Sequence, residues 1–244
     1  MLNKLFKPTI QTVEGRYGPC SFIKGDEYLG RSVFSYGEYN KEECEHIVSL
    51  ANERPNELVL DIGANIGNVS QALVHAGHKV LAFEPQPEVY NVLCMNINPD
   101  NCLNIGLGDF DSDMFMPAAD YSRKGNFGGI SIGGNSGITV KVKTLDSLNL
   151  ENIGVMKIDV EGFEEKVLRG ATKTIDRCKP IIYLEADRHD KLISLRAFLI
   201  SIGYTDIKPH NPPLFSKDNF FKNTKNIWGI NYVSQNWECR YVAS

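Results

Sequence analysis

The sequence has no C-x-x-C pair, no stretch of about 18 apolar residues, no run of Lys and Arg longer than two, and no internal repeat. Each absence removes a class of protein. The six cysteines, at 20, 44, 94, 102, 178 and 239, lack the spacing to His or Cys that would build a zinc site, and they read as reduced structural thiols. Nothing is expected to cross a membrane. The opening Met1-Leu-Asn-Lys-Leu-Phe-Lys-Pro8 also lacks the apolar core of a secretory signal, so a cytoplasmic protein is the expectation. A formal net charge of −4 with scattered lysines argues against nonspecific nucleic-acid binding, which needs a clustered basic face to displace counterions from phosphates. The remaining composition, 42% hydrophobic and 23% charged, is that of a soluble globular chain. A chain of 244 residues buries roughly 70% of its unfolded surface, enough for one substantial core. Oligomeric state is not readable.

Residues 1–55 read as an N-terminal extension packing on the core, with strand-like pieces at Cys20 to Ile23 and Ser32 to Tyr36 and a helix from about Glu42 to Asn52 that Pro55 stops. Residues 56–244 read as one globular unit in which apolar runs alternate with amphipathic segments, the pattern of a parallel sheet covered by helices. The expected strands are Leu58 to Leu60, Lys79 to Phe83, Cys102 to Ile105, Val155 to Ile158, Ile181 to Leu184, Tyr204 to Ile207 and Ile227 to Val233. Helices are expected at Asn68 to Ala76, Glu88 to Asn96, Gly162 to Arg169 with Gly170 as a left-handed cap, and Asp190 to Ile202 closed by Gly203. Between Phe110 and Leu148 the rhythm breaks into two short strands (Met114 to Met116, Ile138 to Val142) around a Gly-rich loop, Gly125 to Gly137.

The first strand runs into Asp61-Ile-Gly-Ala-Asn-Ile-Gly-Asn68. A glycine turn between a buried strand and a helix lets a ligand approach the backbone and the free N–H groups of the helix start. The dinucleotide form G-x-G-x-x-G is missing, because Asn65 and Asn68 stand where its second and third glycines belong. An acid at the head of the turn repels phosphate and suits an ammonium group. The next strand ends in Phe83-Glu84-Pro85, placing a carboxylate beside the same crevice, where it can accept both hydroxyls of a ribose. An amino acid carried on an unphosphorylated nucleoside fits both features, and S-adenosylmethionine is such a molecule.

Leu58-Val-Leu-Asp-Ile-Gly-Ala-Asn-Ile-Gly-Asn-Val-Ser70, Ala82-Phe-Glu-Pro85, Leu107-Gly-Asp109, Thr144-Leu-Asp146 and Lys157-Ile-Asp-Val-Glu-Gly162 with Val167-Leu-Arg-Gly170 follow one another in the order and at spacings that resemble the FkbM family of methyltransferases. The resemblance extends from about Tyr36 to Glu185. It implies a Rossmann-like class I methyltransferase fold: an α/β architecture with a seven-stranded, mostly parallel sheet, an antiparallel last strand and helices on both faces. It also implies an S-adenosylmethionine-dependent O-methyltransferase acting on hydroxyls of sugars, Nod-factor glycans included, or of macrolide-type natural products. Carried onto this sequence, the motifs put Asp61, Gly63, Ala64, Asn65 and Gly67 along the methionine side, with Asn68 at the helix start. Glu84 and Pro85 would hold the ribose, Gly108 and Asp109 would border the adenine, Asp159 would reach the cofactor from the fourth strand, and Tyr36-Gly-Glu38 would close over it.

Methyl transfer to oxygen requires alignment of acceptor and methyl and removal of the hydroxyl proton. Strand alternation points Lys157 and Asp159 to one side, either as a buried ion pair that positions the loop or as catalytic groups. Glu161 is a candidate for substrate contact or for the helix dipole, while Glu164, Glu165 and Lys166 read as solvated surface. Glu185, one strand over, can face a common pocket with Asp159, and the pair would share a proton, grip sugar hydroxyls or hold a divalent cation. His210 is the best neutral-pH base by residue type, and Asn211 and Phe215 beside it are candidate substrate contacts, as is Asn126 in the Gly-rich loop. His189 reads as a helix-start residue.

Two other classes compete. A nicotinamide-dependent oxidoreductase uses a similar sheet, but the glycine pattern opposes it; a catalytically silent scaffold would not need Asp61, Glu84 and Asp159 together. Methylation of a nucleic-acid base is disfavoured by the acidic balance and by the absence of N-P-P-Y or D-P-P-Y after the fourth strand.

Overall fold

The computed structural model describes residues 7–185, 191–210 and 236–242. Seven strands form one sheet in the order β5-β4-β3-β9-β10-β12-β11: β3 (Leu58–Ile62), β4 (Lys79–Phe83), β5 (Cys102–Leu103), β9 (Ile153–Ile158), β10 (Ile181–Glu185), β11 (Tyr204–His210) and β12 (Asn236–Tyr241). β5, β4, β3, β9 and β10 pair in parallel, whereas β12 lies antiparallel between β10 and β11. A hairpin of β1 (Ile10–Gly15) and β2 (Gly18–Ile23) precedes the sheet, and β6 (Gly106–Leu107), β7 (Ser112–Met116) and β8 (Ile138–Lys143) form a small sheet of their own.

Period-two alternation sorts the strand residues onto two helix-covered faces. Leu60, Ile62, Met156, Ile158, Ile182 and Leu184 pack against α5 (Glu164–Arg169), α6 (Thr172–Cys178) and α7 (Leu192–Ser201). Val59, Val80, Val155, Ile181 and Tyr183 face α2 (Lys41–Glu53) and α3 (Asn68–His75). Burying each such aliphatic side chain contributes about 1.5–3 kcal/mol. The α4 helix (Pro87–Asn96) joins β4 to β5, and its Asn96 side chain bonds both to Ser21 of the hairpin and to the Ile66 carbonyl.

Two expectations are corrected, one helix is added, and one expected strand lies outside the described residues. Ser32 to Tyr36 belongs to a helix, α1 (Leu29–Tyr36), which buries Leu29 and Val33 one turn apart and starts where the Asp26 carboxylate accepts the Tyr28 and Gly30 amides. The α6 helix was not legible because its cap comes from far away: Asp146, in the Thr144-Leu-Asp146 motif, accepts the Lys173 and Thr174 amides at 3.1 and 2.8 Å. Gly170 is not left-handed (φ −77°); it is glycine because a Cβ there would lie 1.8 Å from the Gly108 carbonyl oxygen. The antiparallel last strand is Asn236–Tyr241, while the expected strand at Ile227 to Val233 lies outside the described residues.

Helix α2 is also tied to the last strand. Arg240 reaches Glu53 at 2.6 and 2.9 Å and Glu238 at 2.7 Å, and His46 lies 3.3 Å from Glu238.

Candidate active site

The carboxyl ends of β3, β4, β9 and β10 meet along one edge, and the glycine turn leaves from it. Gly63 has φ +79° and donates to the Phe83 carbonyl, and a Cβ on it would stand 1.8 Å from the Asp159 carbonyl oxygen. The turn and the Asp159 peptide are therefore in direct contact, which only glycine permits. Asn65 takes the left-handed conformation (φ 52°) that asparagine tolerates, and Gly67 (φ 90°) leads into α3, with Leu93 filling the space a Cβ would need. Ala64 is buried and donates to the Phe83 carbonyl.

Glu84, 4% exposed, turns its carboxylate back onto this turn: one oxygen accepts the Asn65 amide at 2.9 Å and the other the Gln86 amide at 2.8 Å. Burial pushes its carboxyl up to about 7, against the two N–H donors, which favour the anion. Beside it the Asn104 side chain donates to the Glu84 and Pro85 carbonyls at 2.8 and 3.1 Å. Asn104, with no glycine or charge to mark it, escaped the sequence reading. Gly108 packs against Val142 and Phe163, and Asp109 is exposed.

The strand register sets Asp61 of β3 beside Lys157 of β9. Lys157, 5% exposed, directs its ammonium at the Gly63 carbonyl (3.0 Å), Asp61 Oδ1 (3.2 Å) and Asp159 Oδ2 (3.6 Å). Burial alone would lower its pKa, but Asp61, Asp159 and Glu43 outweigh that and raise it, so the group stays charged. Asp61 is fully buried, and its other oxygen accepts the Ser70 hydroxyl at 2.7 Å. The ammonium that Asp61 meets is thus the chain's own, and its carboxylate does not line the crevice. Glu43 of α2, which nothing in the local sequence marks, joins this cluster: Asn40 and Asn236 donate to it at 3.0 and 3.5 Å, and burial raises its pKa.

Asp159, Glu161 and Glu185 each bring a carboxylate oxygen within 4.8 Å of the others. The Asp159 side chain is 40% exposed. Glu161 sits at φ 55° in a turn pinned by Glu164, whose buried carboxylate accepts the Gly162 amide at 2.8 Å. Glu164 is therefore a structural acid and not solvated surface, its carboxyl raised by burial. Glu165 pairs with Arg169, and Lys166 lies 4.3 Å from the Phe163 ring. The Gly-rich loop closes the space between turn and acids. Asn126 holds it by accepting the Gly128 and Gly129 amides, and Gln86 anchors it through the Phe127 carbonyl. A Cβ on Gly128 would meet Asn65 Nδ2 at 2.3 Å, and one on Gly129 would lie 3.6 Å from Glu161 Oε1.

Three other expected groups are placed elsewhere. Glu38 is ion-paired with Arg16 of the hairpin turn. The Asn68 amide is committed to the Tyr39 carbonyl and Cys44. His210 is in register with Asn236, which is in register with Glu185; strand spacing alone puts it roughly 10 Å from Glu185 and 14 Å from Asp159. Its ring stacks on His46 at 3.7 Å with Tyr183 edge-on at 5.7 Å, and burial together with His46 lowers its pKa. The imidazole belongs to the α2 face, apart from the acids. Asn211, Phe215 and His189 lie outside the described residues. The spacing Tyr204 to Lys208, which spells the Tyr-x-x-x-Lys of some dehydrogenases, has its tyrosine fully buried and bonded to the Pro180 carbonyl at 2.7 Å.

The sheet order and crevice are those of Rossmann-like class I methyltransferases, and comparison with known proteins agrees. The Methyltransferase FkbM domain matches residues 61–205. Methyltransferase sdnD of Sordaria araneosa is 26% identical over 173 residues, covering 54% of this chain and 67% of that protein. Hexuronic acid methyltransferase AglP of Haloferax volcanii is 26% identical over 141 residues, 54% of this chain and 57% of its own. A crystal structure of the methyltransferase FkbM from Methylobacillus flagellatus KT superposes with a TM-score of 0.50 at 18% identity, covering 75% of this chain and 43% of that one. The chain thus spans little more than half of AglP and under half of the crystallised enzyme. With the match running over more than half its length, the chain belongs to the FkbM methyltransferase domain family.

Proposed function

We propose that the chain is an S-adenosylmethionine-dependent O-methyltransferase whose acceptor is a sugar or a similar polyhydroxylated molecule. The observation that carries this reading is the placement of two sets of carboxylates around one glycine turn: Glu84 on one side, and Asp159, Glu161 and Glu185 on the other. The turn fits the cofactor, because it leads into the start of α3 beside Glu84, whose carboxylate has the lone pairs a ribose diol needs. Gly63, Ala64, Asn65 and Gly67 would hold the methionine part and Glu84 the ribose. When bound, the cofactor supplies an electrophilic methyl group on a sulfonium.

The chain's own residues do the rest. Glu161 and Glu185 accept hydrogen bonds from acceptor hydroxyls, and a Glu185 carboxylate oxygen takes the proton of the attacking hydroxyl. The 126–129 loop borders the space between turn and acids. The hexuronic acid in the name of AglP supports a sugar acceptor, and six free cysteines suit a reducing cytoplasm.

Glu185→Gln is expected to retain S-adenosylhomocysteine binding by calorimetry and to lose at least about 100-fold in kcat on a panel of glycans followed by mass spectrometry. Unchanged turnover would remove Glu185 from the mechanism. Running the wild type with EDTA separates two uses of the acids: retained activity assigns them to hydroxyl binding, and a loss that magnesium restores assigns them to a divalent cation.

Glu84 adds a pH prediction. Its folded pKa, about 7, lies above the ordinary value of 4.5. Below pH 4.5 it is protonated folded and unfolded, and nothing depends on it. Between 4.5 and 7 the unfolded chain has lost the proton and the folded one keeps it, so the stability of the unliganded protein falls by up to about 3 kcal/mol across this window. A ribose diol needs the anion, so the Kd for S-adenosylhomocysteine should drop as pH rises to about 7 and then level. Glu84→Gln should flatten both curves in denaturation and calorimetric titrations at pH 5, 6, 7 and 8.

A further inference from the structure

Around Lys157 three carboxylates share one ammonium, and they are not equivalent. Asp61 is nearest, fully buried and completed by Ser70, so it and Lys157 form a closed pair. Glu43 is enclosed by Asn40 and Asn236. Asp159 stands farther from Lys157, at 3.6 Å, with a side chain 40% exposed. Its backbone is fixed: the amide donates to the Ile62 carbonyl at 3.0 Å and the peptide abuts Gly63. The Lys191 ammonium donates to the Gly162 carbonyl at 2.7 Å, in the turn that carries Glu161. Asp159 thus holds Lys157 less closely than Asp61 does, and it stands at the lip of the glycine turn with the carboxylates of Glu161 and Glu185 within 4.8 Å.

We propose that Asp159 is the charge sensor of the site: its carboxylate favours a nucleoside ligand that carries a cation at the sulfonium position over the neutral thioether left after transfer. The inference rests on the S-adenosylmethionine reading and deepens it. Transfer breaks the sulfur–methyl bond, the electron pair of which stays on sulfur, and forms the oxygen–methyl bond; the hydroxyl proton passes to a carboxylate. The sulfonium charge disappears in that step, and with it the attraction to Asp159. A partly exposed carboxylate within a few ångströms of a cation is worth roughly tenfold in affinity, enough to let fresh cofactor displace spent product. The amino-acid ammonium and carboxylate are common to both ligands and cancel in the comparison.

Calorimetric titration of the full chain with S-adenosylhomocysteine, with S-adenosylmethionine, and with sinefungin, which carries an amine where the sulfonium stands, tests this. The wild type should bind both cationic ligands about tenfold more tightly than S-adenosylhomocysteine. Asp159→Asn should bring the ratio of cationic-ligand to S-adenosylhomocysteine affinity down toward one, and Asp159→Glu should restore part of it. Asp159→Ser provides the same comparison if the amide disturbs the turn. Equal weakening of all three ligands, or a wild type that prefers the neutral one, overturns the proposal. A wild type that binds none of the three overturns the cofactor reading beneath it.

Discussion

Lys157→Met is expected to lower the unfolding free energy by about 3–5 kcal/mol, as measured by urea denaturation at neutral pH. The magnitude follows from what the substitution leaves behind. A buried ion pair contributes little net stability, because desolvation of two charges offsets their attraction, but removing one partner strands the other. Here the stranded group is Asp61, with no exposure and only the Ser70 hydroxyl remaining, and the Gly63 carbonyl loses its donor at the same time. Asp61→Asn in the same chain should recover a good part of the loss, so that the double variant is more stable than Lys157→Met alone. That recovery separates stranded charge from lost packing, which a second substitution would only worsen. A single variant within about 1 kcal/mol of the wild type would mean that the pair does not hold this edge together.

Gly63→Ala should be as severe for a different reason. The added methyl would stand 1.8 Å from the Asp159 carbonyl oxygen and 2.8 Å from its carbon, and the residue's φ of +79° is costly for any side chain. The obstacle is backbone, which has no rotamer to change, so strand β9 and the turn must separate. A loss of about 4 kcal/mol or more is expected, with no detectable S-adenosylhomocysteine binding in whatever remains folded. Two glycines calibrate the effect. Gly170→Ala meets a backbone oxygen at the same 1.8 Å but without the unusual φ, whereas Gly77→Ala has φ +88° with nothing within 4 Å and should cost only about 1 kcal/mol. A Gly63→Ala protein as stable as the Gly77→Ala one would contradict the close packing of turn and strand.

Much of the architecture was legible because one rule governs it: a strand buried on both faces must be a continuous apolar run, and Leu58 to Ile62, Lys79 to Phe83 and Ile153 to Ile158 are nearly that. The glycine turn and Glu84 were legible for a related reason, since their residue types are restricted by backbone geometry at fixed offsets from strand ends. What escaped depends on partners distant in sequence. Helix α6 owes its start to Asp146, and Glu43 owes its place beside Lys157 to the packing of α2 under the sheet. Asp61 looked like a ligand for a foreign ammonium because the sequence does not reveal which strand lies next to β3; register supplies Lys157 instead. His210 looked like a base by its chemistry alone, and the strand order sets it two strands from Glu185 on a stack with His46.

The position of β12 bears on how this chain reaches its fold during synthesis. The strand that separates β10 from β11 is made after both, and it also anchors α2 through Glu53, Glu238 and Arg240. A nascent chain complete to His210 has the parallel strands of the described sheet but exposes the hydrogen-bonding edge of β10. Such an edge recruits other chains, and ribosome pausing or truncation before Asn236 would turn the same contacts that finish the sheet into nuclei for aggregation.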